Sequence, residues 1–227
     1  MPTGSRVQQI PVNVPTQLAA PAVSWTREVD VVVLGSGAAG LAAALAARPV
    51  RDVLIITKDT LDAGSTAWAQ GGLAAVLDPG DTFGEHVRDT LDAGAGLCDE
   101  AAVTSLVRDA PTAISYLEKL GAAFDPGADG LRALTREGGH SRSRIVHAGG
   151  DQSGAEIQRT LDESAINAGV EVLDHAFALD LVFGIAAGAR RQVAGVRIAL
   201  LNEDGTVASV GVVLARAVVI ATGGYGQ

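Results

Sequence analysis

The sequence predicts an α/β fold in which a parallel sheet is flanked by helices and extended by a β-meander. Three observations near the amino end carry this prediction. A β-branched apolar run at 29–34 indicates a buried strand, an Ala/Leu-rich segment at 38–48 indicates a helix, and a second apolar run at 53–57 indicates another strand. A strand, a glycine turn, a helix and a strand in this order form a βαβ unit, which makes the two strands parallel.

The turn of this unit carries the pattern Gly35-x-Gly37-x-x-Gly40. Gly35 permits the tight turn, Gly37 lets the backbone approach a pyrophosphate, and Gly40 lets the helix pack closely on the sheet. The amino terminus of the helix adds unpaired N–H groups and about half a positive charge. The pattern therefore predicts a Rossmann-like dinucleotide-binding turn, although by itself it does not choose between FAD and NAD.

The rest of the chain continues with helical and strand patterns, separated by two loops at 64–76 and 122–150. Further helices are predicted at 81–95, 99–120 and 153–168. Gly121 is the expected stop of the second of these, and Ser153 and Glu156 fit a capping box at the start of the third. Short strands are predicted at 170–173, 178–183, 193–201, 207–214 and 217–221, with a hairpin turn at 202–205.

Composition and charge restrict the class of protein. Of the 227 residues 48% are hydrophobic but only 4% are aromatic, so a sizeable core must be built mainly from Ala, Val, Leu and Ile. The net charge of −9 argues against a nucleic-acid or acidic-membrane partner. The single cysteine, Cys98, excludes an intramolecular disulfide, and we expect a cytoplasmic protein. No apolar run has the length of a membrane span.

The first 26 residues differ from the rest of the chain. They contain four prolines and lack the basic region and long apolar stretch of a secretory signal. We therefore expect residues 1–26 to be a disordered tail and residues 27–227 to form the folded domain.

Six motifs occur in an order and spacing that are typical of one family. They lie at 31–40, 64–72 (Gly-Ser-Thr followed by Ala-Gln-Gly-Gly), 93–99, 135–141, 144–148 and 221–224. By these motifs the chain, from about residue 29 to its end, resembles the flavoprotein family of succinate dehydrogenase and fumarate reductase, and within it the L-aspartate oxidases. The resemblance makes 27–227 the amino-terminal part of an FAD-binding domain.

The resemblance implies a set of residues that contact FAD. They are Ser36, Gly37, Ala38, Ala39, Lys58, Ser65, Thr66, Ala67, Trp68, Ala69, Gln70, Gly71 and Gly72. Hydroxyls, an amide and unhindered N–H groups suit a polar ring edge next to phosphate. Two alternatives stay open: Lys58 also fits a solvated strand end, and Trp68 packs either near the flavin or on the core.

Ser65 separates the chain from one branch of the family. The flavoproteins of membrane complexes usually have a histidine at this place, which bonds FAD covalently. Because serine has no imidazole, the resemblance implies noncovalent FAD and a soluble enzyme.

Glu137 is the candidate substrate-orienting residue. It matches a family glutamate that orients the substrate amino group, and a carboxylate that is anionic at neutral pH attracts an ammonium. The alternative is a solvated loop charge. We expect the basic residues around it to be structural partners or loop charges, and we expect no metal site, because the two histidines lack nearby cysteine ligands. These residues are Arg136, Arg142, Arg144, His140 and His147.

The activity implied by the resemblance is oxidation of L-aspartate to iminosuccinate, with oxygen or fumarate as electron acceptor. The product passes to quinolinate synthase in NAD biosynthesis. Two alternatives remain, a fumarate reductase or succinate dehydrogenase type of flavoprotein and a non-catalytic, truncated FAD-binding remnant. The resemblance does not include the capping and carboxy-terminal helical domains of the family, which supply its catalytic arginine. We therefore expect an incomplete fold and an inactive chain when these 227 residues stand alone.

Overall fold

The computed structural model describes residues 21–128, 130–185 and 191–224. The strands in these ranges are β1 (Trp25–Leu34), β2 (Val53–Ile56), β3 (Leu73–Ala74), β4 (Ile145–Val146), β5 (Glu171–Leu173), β6 (Ala176–Ile185), β7 (Arg191–Leu201) and β8 (Val207–Ile220). The α-helices are α1 (Ala38–Ala47), α2 (Phe83–Ala93), α3 (Glu100–Lys119) and α4 (Ser153–Asn167), and a 3₁₀ helix spans Ser65–Trp68. No helix in the described ranges is long and apolar enough to cross a membrane.

Six strands form one mixed sheet in the order β5-β2-β1-β8-β7-β6. The pairs β5–β2, β2–β1 and β1–β8 are parallel, whereas β8–β7 and β7–β6 are antiparallel. The short strands β3 and β4 form a separate antiparallel pair. The predicted α/β fold with a parallel sheet, flanking helices and an added β-meander is confirmed.

Apolar side chains of β1 and β2 are buried on both faces of the sheet, as parallel strands require. On one face, Val33 and Ile55 pack with residues of α1, α3 and α4, including Leu41, Leu117 and Leu161. On the other face, the core cluster combines β1 and β2 with residues of the meander. Its buried members are Val29, Val32, Leu34, Leu54, Ile56, Ala176, Val196, Ile198 and Val213.

The first strand begins earlier than predicted. Trp25 and Thr26, assigned from the sequence to the tail, belong to β1 and lie opposite Gly211 and Val212 of β8. The indole N–H of Trp25 donates to Ser209 Oγ at 3.1 Å. An added Cβ on Gly211 would overlap the indole ring, so glycine makes room for this side chain. Residues 1–20 of the predicted tail lie outside the described residues.

The last two predicted strands are one continuous strand, β8. Its pairing with β1 runs through the intervening residues, since Val29 lies opposite Ala215 and Val31 opposite Ala217. Arg216 interrupts the apolar pattern, but its side chain is exposed and lies 3.5 Å from Asp30 Oδ1. Backbone pairing is insensitive to one solvated side chain, so the interruption in hydropathy does not end the strand.

The predicted capping box of α4 is wrong. Helix α4 begins after Gln152, and no side-chain cap is formed there. Ser153 Oγ instead accepts from the backbone N–H of Ala148 at 3.1 Å, and Glu156 Oε1 accepts from that of Ala123 at 2.7 Å. Both side chains connect the helix to neighbouring loops. By contrast, the predicted stop of α3 is confirmed, because Gly121 follows the helix with φ +103°.

Candidate functional site

The glycine turn lies where the carboxyl ends of β1 and β8 meet the amino terminus of α1. Gly35 has φ +107°, and a Cβ there would overlap the carbonyl oxygen of Ala221. A Cβ on Gly40 would overlap the carbonyl oxygen of Gly35. Both positions require glycine, as the spacing predicted. The segment 221–224, which follows β8, lies beside the glycine turn, because the N–H of Ala221 donates to the carbonyl oxygen of Leu34 at 2.8 Å.

The amino terminus of α1 is electrostatically open. Gly37 is its N-cap, with no side-chain cap and no acidic residue in the first turn. The Ala38 N–H donates to Thr66 Oγ1 at 3.0 Å, and Ala39 is exposed. The partial positive charge of the helix end is therefore not compensated by an acidic residue in the first turn of α1, which suits the phosphates of a dinucleotide.

Ser36 is placed by side chains from two other elements. Its hydroxyl donates to Thr57 Oγ1 at 3.1 Å, and its carbonyl oxygen accepts from Gln158 Nε2 at 3.2 Å. Ser36 is thus buried, with both its hydroxyl and its carbonyl oxygen bonded within the protein. Lys58, the residue after Thr57, is exposed at the end of β2.

The loop 64–72 packs against this turn. Thr66 links it to Ala38, and the carbonyl oxygen of Ala69 accepts from the N–H of Gly154 at 2.9 Å. A Cβ on Gly154 would overlap the carbonyl oxygens of Thr66 and Ala69, so glycine lets the start of α4 support the loop. Trp68 is 80% exposed, so it does not cover the core of the described structure. The remaining members Ser65, Ala67, Gln70, Gly71 and Gly72 are exposed or half-buried.

Glu137 lies on a separate loop, where its side chain contacts His147. Its carboxylate is 51% exposed, and Oε1 lies 3.4 Å from His147 Nε2. His147 Nε2 also lies 2.8 Å from Thr135 Oγ1. The same imidazole is close to Gly72, where an added Cβ would stand 3.0 Å from Cε1 of His147. His147 therefore connects the Glu137 loop with the end of the 64–72 loop.

A buried arginine holds the Glu137 loop on helix α2. Arg144 is fully buried and binds Asp81 through Nε and Nη2, both at 2.8 Å, and Asp89 Oδ2 through Nη1 at 2.6 Å. Burial opposes ionisation of Asp89, but hydrogen bonds from Ser141 and Arg144 lower its pKa to about 2. Arg142 pairs with Glu85 at 3.0 Å on the surface. The prediction that these arginines are structural partners is confirmed.

Sequence reasoning missed two residues that build the site, and one contact of a third. Thr66 was grouped with the cofactor residues without its bond to Ala38, and neither Gln158 nor Thr57 was singled out. Gln158 lies 122 residues from the carbonyl group that it binds, so no local pattern indicates this contact. Within the described ranges no cluster of three His, Cys, Asp or Glu residues is placed to hold a metal ion.

The residues at the turn fit FAD on structural grounds. The helix start has no side-chain cap and no acidic residue in its first turn, and glycine at positions 35 and 40 keeps the backbone of the turn close-packed. Hydrogen bonds with Thr57 and Gln158 hold Ser36 in this turn. Such a turn matches the pyrophosphate and ribose of a dinucleotide. A Cβ on Gly37 would meet only Thr66 Oγ1, at 3.2 Å, so little protein covers this position of the turn.

Comparisons with known proteins agree with this site. The FAD binding domain family matches residues 30–227. An L-aspartate oxidase from Streptomyces coelicolor is 50% identical over 212 residues, which is 93% of this chain and 36% of that protein. The L-aspartate oxidase of Mycobacterium tuberculosis is 45% identical over 213 residues, 92% of this chain and 38% of that protein. The chain thus spans little more than a third of the length of these curated relatives.

Solved structures show the same architecture. A quinol fumarate reductase from E. coli superimposes with a TM-score of 0.78 at 31% identity, over 89% of this chain and 34% of that chain. The family match includes the glycine turn, the 64–72 loop and the Glu137 loop. The chain therefore belongs to the FAD binding domain family, and FAD is its cofactor.

Proposed function

We propose that this chain is the cofactor-binding part of an enzyme that oxidises L-aspartate to iminosuccinate. The observation that carries the proposal is the 50% identity to an L-aspartate oxidase over 93% of the chain, which includes the Glu137 loop. The geometry supports it, because His147 contacts Glu137 and also lies close to Gly72, at the end of the loop assigned to FAD. We further propose a cytoplasmic enzyme, since the sequence has a single cysteine.

The residues of the turn would hold FAD in defined places. The amino terminus of α1, with the backbone of Ser36, Gly37 and Ala39, binds the pyrophosphate, and Lys58 contributes its ammonium near the end of β2. The 65–72 loop supplies small side chains and backbone N–H groups to the flavin. Ser65 carries no imidazole, and we therefore propose that FAD is bound noncovalently.

Glu137 would orient the substrate. Its half-exposed carboxylate attracts the α-ammonium of L-aspartate, whereas a dicarboxylate without an amine gains nothing from this charge. Bound FAD would supply the hydride-accepting chemistry for oxidation at the substrate α-carbon. Oxygen or fumarate would then reoxidise the flavin, and iminosuccinate would pass to quinolinate synthase.

The proposal is tested with protein expressed from its complete reading frame and loaded with FAD. We expect turnover of L-aspartate, with peroxide released in air, and no turnover of succinate. Turnover of succinate but not of L-aspartate would instead identify a succinate dehydrogenase type of flavoprotein. Acid denaturation followed by filtration tests the binding mode, and FAD retained on the precipitated protein would contradict a noncovalent site.

A matched pair of variants tests Glu137. Glu137→Gln should raise KM for L-aspartate by about 10- to 100-fold, the worth of one hydrogen bond to a charged group. Binding of succinate should change little. Glu203→Gln, in the exposed hairpin between β7 and β8, is the control and should behave as the parent protein. An equal loss of affinity for L-aspartate and succinate in Glu137→Gln would contradict the assigned role.

A further inference from the structure

His147 has one ring nitrogen in a polar cluster and the other in the protein interior. Nε2 faces Thr135 Oγ1 at 2.8 Å and Glu137 Oε1 at 3.4 Å. Nδ1 is buried and has no hydrogen-bond partner among the described residues. The side chain as a whole is only 17% exposed. The ring is therefore held by its surroundings, with a single polar edge directed at the Glu137 loop.

This environment selects one form of the imidazole. A proton on Nδ1 would be a buried donor without an acceptor, which is costly. The same tautomer would turn the lone pair of Nε2 towards the Glu137 carboxylate, which is repulsive. The neutral tautomer with its proton on Nε2 avoids both penalties, because Nε2–H then donates to Thr135 Oγ1 and the positive edge of the ring lies 3.4 Å from Glu137 Oε1.

Backbone contacts position the main chain of His147 relative to the Glu137 loop and the 64–72 loop. The carbonyl oxygen of His147 accepts from the N–H of Asp125 at 2.8 Å, and Thr135 is bridged to Ile145 by backbone hydrogen bonds. The residue before His147, Val146, pairs with Leu73 in the β3–β4 pair. A change in the position of His147 must therefore move the end of the 64–72 loop as well.

We propose, as an extension of the proposed function, that His147 is a positioning residue that orients the Glu137 carboxylate for the substrate ammonium. The dipole of a neutral imidazole attracts a carboxylate oxygen without cancelling its charge. A cation at this place would compete with the substrate ammonium for the same carboxylate. His147 thereby contributes to the choice of an amino dicarboxylate over one that lacks the amine, although it does not itself touch the substrate.

A double-mutant cycle tests the proposal in the FAD-loaded protein expressed from its complete reading frame. Dissociation constants for L-aspartate and succinate are measured from the change in flavin absorbance in the parent protein, His147→Leu, Glu137→Gln and the double variant. We expect His147→Leu to weaken L-aspartate binding about tenfold and to leave succinate binding unchanged. In the Glu137→Gln background the same change should have no further effect.

Two different results would overturn two different statements. If His147→Leu weakens binding equally in both backgrounds, or equally for both ligands, His147 acts only on the fold and the inference is wrong. If the parent protein itself does not prefer L-aspartate to succinate, the proposed function is wrong and the inference fails with it.

A pair of conservative variants separates positioning from general disruption. His147→Gln places an amide N–H near the former Nε2, whereas the shorter His147→Asn places its amide near the former Nδ1. We expect His147→Gln to restore most of the L-aspartate affinity that His147→Leu loses, and His147→Asn to restore little. Equal L-aspartate affinity of His147→Gln and His147→Asn would overturn the inference. This comparison remains decisive even if His147→Leu fails to fold.

Nitrogen NMR of the His147 ring is a readout that does not depend on turnover. Protonated and unprotonated imidazole nitrogens have well-separated chemical shifts, and the His147→Gln protein identifies the signals. We expect a protonated Nε2 and an unprotonated Nδ1 in the FAD-loaded protein. A proton on Nδ1 would overturn the proposed orientation of the carboxylate.

Discussion

Gln158 links helix α4 to the glycine turn through one side-chain amide. Its Nε2 donates both to the carbonyl oxygen of Ser36 at 3.2 Å and to Asp162 Oδ1, one helical turn further on, at 2.8 Å. Burial raises the pKa of Asp162 to about 6, and the nearby charge of Asp62 acts in the same direction. At the scale of single residues, the hydrogen bonds that hold the glycine turn thus include the carboxyl group of Asp162, which titrates below neutral pH.

The raised pKa of Asp162 predicts a pH dependence of stability. A carboxyl whose pKa is higher in the folded state than in the unfolded state stabilises the fold at low pH. This contribution is lost as the pH rises from about 4 to about 6. Asp162→Asn should abolish this fall in folding stability with pH. At pH 7 the variant should be more stable than the parent by about 1 kcal/mol, a reduced value because the carboxyl group is partly exposed.

Urea unfolding of both proteins at several pH values checks this prediction. The difference between variant and parent isolates Asp162 from carboxylates such as Asp89, whose lowered pKa gives the opposite slope. Asp109→Asn, on the exposed side of α3, serves as the control and should follow the parent. A constant difference between Asp162→Asn and the parent from pH 4 to pH 7 would contradict the assignment.

At the scale of elements, the contact between α4 and the 64–72 loop depends on the absence of a side chain. The helix N–H of Gly154 reaches the carbonyl oxygen of Ala69 because no Cβ separates them. The same loop is tied to α1 through Thr66. Two helices thus determine where the loop stands relative to the dinucleotide turn.

Gly154→Ala should displace the loop. The added methyl group overlaps two backbone carbonyl oxygens, which cannot move as a flexible side chain can. We expect a loss of about 1–3 kcal/mol in stability and a decrease of about tenfold in FAD affinity. Gly84→Ala, in the exposed first turn of α2 with open space around it, is the matched control. FAD titration monitored by fluorescence measures both, and unchanged affinity in Gly154→Ala would show that the loop does not depend on this contact.

At the scale of the whole molecule, β8 joins the two parts of the sheet. It pairs in parallel with β1 and antiparallel with β7, and Val210 and Val213 are buried. The parallel pair joins residues that are far apart in sequence, such as Trp25 and Gly211. Strand β8 of the meander is therefore paired with β1 of the βαβ unit, and one core cluster contains residues of both parts.

A chain that ends at Thr206 should not fold cooperatively. Loss of β8 leaves β1 and β7 with unpaired edges and opens the core cluster that contains Val213. A chain that ends at Gly224 retains every described strand and is the control. Thermal unfolding followed by circular dichroism distinguishes them, and a cooperative transition in the shorter chain would contradict a shared core.

The sequence by itself determined the local plan of this protein. The βαβ unit was predicted from the apolar run before Gly35, the spacing of the three glycines and the apolar run after Pro49. Backbone conformation and burial at these positions restrict the residue types that can occupy them. The motifs also identified FAD as the cofactor, which the family match confirms. Local helix stops such as Gly121 were readable for the same reason.

The tertiary structure alone decided how the loops meet. Neither the bond between Thr66 and Ala38 nor that between Gln158 and Ser36 follows from a periodic pattern, since one hydroxyl or amide is compatible with many partners. Ser153 and Glu156 illustrate this, because their spacing fitted a cap while folding gave both side chains partners on other loops. The closeness of His147 to Glu137 has the same origin: hydropathy reports which residues are buried, and only the packed chain determines which polar groups face each other.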